Sequence, residues 1–320
     1  MKKYLTLLFL LICSFWTAKA QINIEDSSVQ VISYWDMGDR IRYNVIHESI
    51  KLSNGDTISK SEYSYDVIVS VIDSSDKHYT ITWDYENFQL DDLDQSTNKW
   101  INKMLNKLTV IYKTDELGIV EDVENIEEIQ KNSKKIIKKL TKKLTKGNKE
   151  LRVYLKSMEE SLTTKEGIIT SGIKDIQQFH YFHGVMMEMG ETYTHPYQSN
   201  HVYAPDELLD GEISYGLIEI NSGDLYYDAK AEEAIDSLQL TKLVMEITGD
   251  LIKSMGEDVD DVNLVALQNE IGTLRNNTTT YSRIHNTGWP LLSLQQTDVS
   301  TLEHRRLNIR VISFEEYIED

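Results

Sequence analysis

Histidine and methionine side chains are concentrated between residues 180 and 201. This segment holds four of the eight histidines in the chain and a group of three methionines: His180, His183, His195 and His201, with Met186, Met187 and Met189. Imidazole and thioether groups are suitable copper ligands, and imidazole also binds zinc or nickel. His180 and His183 share a face if the segment is helical. The four histidines are therefore a candidate metal site. The alternative is ordinary packing, because aromatic residues flank His180 on both sides.

Two acidic stretches contain carboxylates that could bind calcium. They cover residues 91–94 and 257–261. Neither follows the order of an EF-hand loop, which needs a central glycine and a terminal glutamate. A solvated loop is the alternative interpretation for both.

The sequence contains none of the standard catalytic signatures. It has no G-x-S-x-G nucleophile elbow, no H-E-x-x-H zinc helix and no glycine-rich phosphate loop. Its single cysteine, Cys13, lies in a segment that we expect to be removed, which excludes thiol catalysis in the mature chain. Scattered serine, histidine and aspartate residues leave a hydrolase with an unrecognised site as an open alternative.

Pairs of lysines recur every four residues in the middle of the chain. They alternate with apolar residues, and the six are Lys134, Lys135, Lys138, Lys139, Lys142 and Lys143. Asn125 and Glu128 resemble a capping box, so we predict a basic amphipathic helix from there to about Gly147, the lysine helix. Its lysines could bind an anionic envelope surface or an acidic partner. Alternatively, the helix docks on an acidic patch of the protein itself, or its apolar stripe packs on the protein and the lysines face solvent.

The elements that would position these residues are strands and a few helices. Alternating apolar residues predict strands over 40–46, 63–72, 79–85, 109–113 and 119–123, with a short helix over 94–107. After residue 184 the pattern predicts a hairpin of 213–221 with 224–230 and a helix from 236 or 237 to about 252. Three closing strands follow, over 278–285, 289–297 and 305–314.

The order of elements in the first part of the chain is similar to that in the second. Gly38-Asp39 and Gly190-Glu191 open comparable runs. We therefore predict an α+β fold with two related halves of curved antiparallel sheet and packed helices, covering 21–183 and 184–320. Chance similarity between hairpins is the alternative to a repeat.

Residues 1–20 have the three parts of a secretory signal peptide. Lys2 and Lys3 precede an apolar stretch, and Ala18-Lys19-Ala20 provides small residues for cleavage. We expect the mature protein to begin at Gln21 and to be periplasmic or secreted. A membrane anchor and lipidation at Cys13 are the alternatives.

The charge of the chain restricts its partners. Lysine and arginine together number 33 and the acidic residues 52, which gives a net charge of −19. Most of the surface should therefore repel nucleic acid. No later segment is long and apolar enough to predict a transmembrane helix in the mature chain.

The arrangement resembles a group of uncharacterised secreted proteins of Gram-negative bacteria, which are domains of unknown function. The resemblance rests on residues 79–83, 114–118 leading to 124–128, 182–184 with 190–193, and 287–290. It covers most of the mature chain, and its motifs are turn and strand signatures. The resemblance implies an exported protein and no particular activity.

These observations favour an exported, non-enzymatic binding protein of the cell envelope, with an apolar or lipid ligand as first candidate. The chain contains 18 tyrosines and five tryptophans that could line a cavity, although they could equally fill a core. A hydrolase and a structural or interaction protein of the envelope are the alternatives.

Overall fold

The computed structural model describes residues 21–90, 95–106, 108–144, 163–201, 204–254, 266, 268–269 and 271–319. The predicted signal peptide and both acidic stretches lie outside the described residues. Within them, no helix has the length and apolarity needed to cross a membrane.

Most described residues belong to β-strands. The strands of the first part are β1 (Ile22–Asn23), β2 (Ser28–Gln30), β3 (Arg40–Ser53), β4 (Asp56–Ser74), β5 (His78–Leu90), β6 (Thr109–Asp115) and β7 (Val120–Val123). Those of the second part are β8 (Met186–Glu188), β9 (Tyr193–His201), β10 (Ala204–Asn221), β11 (Tyr226–Ile235), β12 (Arg275–His285), β13 (Pro290–Ser300) and β14 (His304–Tyr317).

The described helices connect these strands. They are α1 (Gln95–Leu105), α2 (Ile126–Leu144), α3 (Lys165–Gly167), α4 (Lys174–Phe179) and α5 (Ser237–Ser254), with a π-helix (Ile168–Gly172) between α3 and α4. The lysine helix corresponds to α2. The residue before α2 is tied to the sheet, because the Asn125 side chain bonds to the backbone of Thr109 and Ile111 on β6.

Eleven of the described strands form one antiparallel sheet in the order β7-β6-β5-β4-β3-β14-β13-β12-β11-β10-β9. The strands β3 to β7 form a first meander, and β9 to β14 form a second. The first strand of one meander pairs with the last strand of the other, along the whole length from Ser53 opposite His304 to Ile41 opposite Tyr317. The three remaining described strands form a small sheet, β1-β2-β8.

The predicted α+β fold class with two related halves is therefore wrong. The molecule is mostly β, because the two meanders join into a single sheet and the helices add only short segments to it. Pairing of β3 with β14 removes two exposed sheet edges at once. The internal repeat, which was part of that prediction, is not supported. The boundary between residues 183 and 184 stays a prediction.

One face of the sheet carries the core, and we call it the inner face. Cross-strand partners point to the same side of a sheet, so the pairs Tyr43–Val67, Val67–Tyr85 and Trp83–Val110 define this face in the first meander. The π-helix and α4 pack against it, with Phe179 contacting the rings of Tyr43 and Trp83 edge-on.

Candidate ligand-binding site

An apolar cavity of about 240 Å³ lies between the inner face and the helices of the first meander. Its walls come from β5, β6, α1, α2 and the π-helix with its flanking residues. The wall is aliphatic apart from single tyrosine, threonine and serine residues, and its larger side chains are Tyr85, Leu105, Leu108, Val110, Ile129, Ile136, Ile137, Ile168 and Ile173.

Helix α2 forms one wall of this cavity because of its amphipathic sequence. Ile129 and Ile137 are buried and Ile136 is half-buried. On the opposite side, Lys134, Lys135, Lys138, Lys139 and Lys142 are exposed. The described part of the lysine helix thus has its apolar stripe on the protein and its lysines outward. Whether the lysines bind a surface stays a prediction. The side chains of Leu140, Lys143 and Leu144 lie outside the described set.

A buried charge cluster lies beside the core on the inner face. Asp175 on α4 forms an ion pair with Arg310 on β14, with Nε and Oδ1 3.0 Å apart, and accepts a hydrogen bond from the Tyr65 hydroxyl. The His47 Nε2 atom is 3.5 Å from Asp175 Oδ1 and 3.0 Å from the Tyr65 hydroxyl. Arg310 also donates to the backbone carbonyl of Lys174.

The environment of Asp175 keeps it ionised. Burial pushes its pKa up, but the hydrogen bond from His47 and the charge of Arg310 outweigh burial, so the pKa lies below its usual value. Burial and the nearby charge of Arg310 lower the pKa of Lys174. The contacts of His47 and Arg310 with Asp175 connect α4 to strands β3 and β14 of the sheet. Sequence reasoning missed this cluster, because its four members are scattered over more than 250 residues of sequence.

The structure describes three of the four histidine side chains of the predicted metal site. His180 and His183 are adjacent, with ring centroids 4.9 Å apart, and both are buried. His195 is exposed on β9, where its Nε2 lies 3.3 Å from the Tyr215 hydroxyl. The His201 side chain lies outside the described set. Over the described part of the chain, no group of three or more His, Cys, Asp or Glu side chains is placed to hold a metal. The four-histidine site stays a prediction.

His180 and His183 instead connect the two meanders. His180 Nδ1 donates to the Gly118 carbonyl at 2.8 Å, and its Nε2 accepts from the Tyr112 hydroxyl at 2.9 Å. His183 Nε2 donates to the Gly288 carbonyl at 3.0 Å. These bonds use both ring nitrogens of His180. The partner residues lie in turns or strands of both meanders, so His180 and His183 hold the two meanders together.

The surroundings keep both imidazoles neutral. They contact the ring of Trp35, which stacks on Trp289 with centroids 4.4 Å apart. Burial lowers the pKa of His180 well below its usual value and that of His183 to about 4. Gly118 fits this packing, since its φ is +95° and a Cβ there would lie 2.5 Å from the His183 ring.

No family model matches the chain, and no curated protein matches it. Two solved structures are distantly similar. One is from Bacteroides fragilis, a protein assigned as exported with a YmcC-like fold; it has 6% identity and a TM-score of 0.25, and the match covers 91% of this chain and 100% of that one. The other is an outer membrane channel from Pseudomonas putida F1, with 8% identity, a TM-score of 0.19 and coverage of 89% and 98%. Similarity this distant carries no argument about function.

The fold and the cavity together define an antiparallel β protein with an aliphatic chamber under a lysine-bearing helix. Sequence reasoning predicted the lysine helix, the helix over 94–107 and the strands over 79–85 and 109–113 as separate elements, but not the cavity that they line together. That assembly depends on long-range packing, which no local period specifies.

Proposed function

We propose that this chain is an exported, non-enzymatic binding protein of the cell envelope that holds an apolar ligand, such as a lipid acyl chain, in the aliphatic cavity. The cavity itself is the observation that carries the proposal. Apolar chambers of comparable size stay dry and bind apolar guests, because water gains few hydrogen bonds inside them. The signal-peptide pattern of residues 1–20 supports export.

The position of α2 supports the same proposal. This helix contributes Ile129, Ile136 and Ile137 to the wall. The residues before the helix are described, and those directly after its C-terminal end are not. Its exposed lysines face away from the cavity, where they would meet an anionic envelope surface. We therefore include such a surface among the proposed partners.

A fluorescence assay with N-phenyl-1-naphthylamine tests the proposal. The dye should gain fluorescence in wild-type protein and be displaced by a long-chain fatty acid. Ile136→Trp places an indole in the cavity wall and should abolish the gain. Ile58→Trp, at an exposed position on β4, is the matched control and should bind as wild type does.

Native mass spectrometry of protein from its own host gives an independent readout. A retained lipid that is lost in Ile136→Trp supports the proposal. The proposal is contradicted if both tryptophan variants bind the dye equally well. It is also contradicted if neither the variants nor the wild type bind it.

A further inference from the structure

A second cavity, of about 350 Å³, lies on the inner face of the second meander. It is formed by β9, β10 and β11 together with the segment that follows α4. We call it the tyrosine cage, and its main lining side chains are Tyr181, Phe182, Tyr197, Ile213, Tyr215 and Glu233. Its wall, which also includes Val185, is therefore mainly aromatic and carries one carboxylate, whereas the first cavity is aliphatic.

The strand register builds the cage. Ile213 on β10 pairs with His195 on β9 and with Glu233 on β11. Tyr215, two residues further, points to the same face and stacks on Tyr193 with ring centroids 5.5 Å apart. These aromatic rings therefore share one side of the sheet with the carboxylate.

Gly211 makes room for the ring of Tyr197 in the cage. It pairs with Tyr197, and a Cβ at this position would lie 2.6 Å from the Tyr197 ring. Because Gly211 has no side chain, the ring of Tyr197 lies against the strand and leaves room in the cage.

Glu233 brings a negative charge into the cage without a basic partner. Its carboxylate accepts a hydrogen bond from the Tyr181 hydroxyl. Among the described residues it forms no ion pair; Lys230 on the same strand pairs with Glu232, and Arg283 on β12 pairs with Asp228. Burial and the charge of Glu233 raise the pKa of Tyr197 to about 12 and raise that of Tyr181 further, so both phenols stay neutral.

We propose that the tyrosine cage binds an organic cation of the quaternary ammonium class. Tyrosine ring faces attract such a cation through their quadrupole, and cages of aromatic rings recognise methylated ammonium groups in this way. Glu233 supplies the counter-charge. The net charge of −19 also raises the local concentration of cations over anions around the protein.

Calorimetric titration of the full chain tests the charge requirement. The probes are choline and its neutral carbon isostere, 3,3-dimethylbutanol, which has the same shape. Choline should bind about tenfold more tightly than the isostere. Equal affinity for the two, or no choline binding at millimolar concentration, overturns the proposal.

Matched variants test the assigned residues. Glu233→Gln can still accept from Tyr181, so it should fold as wild type does and lose about tenfold in choline affinity. Glu212→Gln removes the same charge from the opposite face of β10, at an exposed position, and should leave affinity unchanged. Equal losses in both variants would mean that only the general charge of the protein matters, and would overturn the assignment.

Two substitutions of Tyr215 test the role of its aromatic ring separately from that of its hydroxyl. Tyr215→Phe keeps the π face and should retain choline binding, whereas Tyr215→Leu should lose it. Circular dichroism and melting temperatures confirm that each variant is folded. If Phe and Leu reduce affinity equally, the ring face is not the contact and the proposal fails.

The same experiment distinguishes a free cation from a lipid head group. Glycerophosphocholine carries the same ammonium group beside a phosphate. Preference for glycerophosphocholine supports a phosphocholine head group as the source, and preference for choline supports a free cation, because Glu233 repels the phosphate. A cage that binds neither contradicts the proposal.

Discussion

The two cavities lie on the same face of one sheet and differ in the side chains that line them. In the first meander, α2 and the π-helix cover the strands and contribute isoleucines, so the enclosed space is aliphatic. In the second meander, the lining comes mostly from the strands themselves, which present tyrosines and a glutamate. The covering helices therefore set the chemistry of the first lining, whereas the strands set most of the chemistry of the second.

The largest expected effect comes from the helix that forms one wall of the aliphatic cavity. Ile137→Asp places a carboxylate at a position that is 5% exposed, and should cost about 3 kcal/mol or more of unfolding free energy. Urea unfolding measures this loss. The exposed control Ile58→Asp should change stability by less than about 0.5 kcal/mol.

This variant also tests whether the two cavities are independent. In conditions where Ile137→Asp remains folded, it should lose dye binding and keep choline affinity in the tyrosine cage. Loss of both activities in folded protein would show that the two regions are coupled, and the contrast between them would then have to be abandoned.

Acid should weaken the contact between the two regions. Folding lowers the pKa of His183 from 6.5 to about 4 and that of His180 well below 6.5, so the unfolded chain binds more protons than the folded one in this range. The contribution of these two histidines to the free energy of unfolding is therefore complete well above pH 6.5 and is lost as the pH decreases below it. For His183 alone the loss by pH 4 should be about 3 kcal/mol.

Urea unfolding at pH 7 and pH 4 checks this expectation. Asp175 should contribute little to the change, because its pKa is lowered from 3.8 and its stabilisation is lost only below that pH. His183→Gln can still donate to the Gly288 carbonyl and should show a smaller difference between the two pH values than wild type. An unchanged difference would contradict the assignment to His183.

The sequence predicted local elements much better than it predicted their assembly. The strand patterns over 40–46, 63–72 and 79–85 fall within β3, β4 and β5, and the lysine helix begins within a residue of its expected start. In each case the signal is periodicity within one segment. The pairing of β3 with β14 joins residues more than 250 positions apart, and no local pattern specifies it.

The candidate sites follow the same rule. Periodic patterns predicted α2 and two strands that line the aliphatic cavity, β5 and β6, but not the cavity itself. The tyrosine cage depends on the register of three strands and on the small size of Gly211, neither of which can be read from spacing. His180 and His183 were identified as neighbours, but their burial against Trp35 depends on long-range packing.

The smallest expected effect on stability concerns the lysines of α2. Replacing Lys134, Lys135, Lys138, Lys139 and Lys142 by Gln should change the melting temperature little, because these exposed side chains lie opposite the buried stripe and exposed charges contribute little to stability. Removing five like charges from one helix also relieves their mutual repulsion. A clear loss of stability would mean that the lysines pair with acidic groups of the protein.

Vesicle binding should be far more sensitive to the same substitutions than stability is. We expect wild type to pellet with vesicles of anionic lipid at low salt and not at high salt, since each lysine near such a surface contributes about 1 kcal/mol and salt screens the attraction. The Gln variant should stay in the supernatant, and zwitterionic vesicles should pellet neither protein. If wild type also stays in solution with anionic vesicles, the lysines serve only to keep the outer side of α2 solvated. The proposed apolar ligand would then have to reach the cavity without an anionic surface as partner.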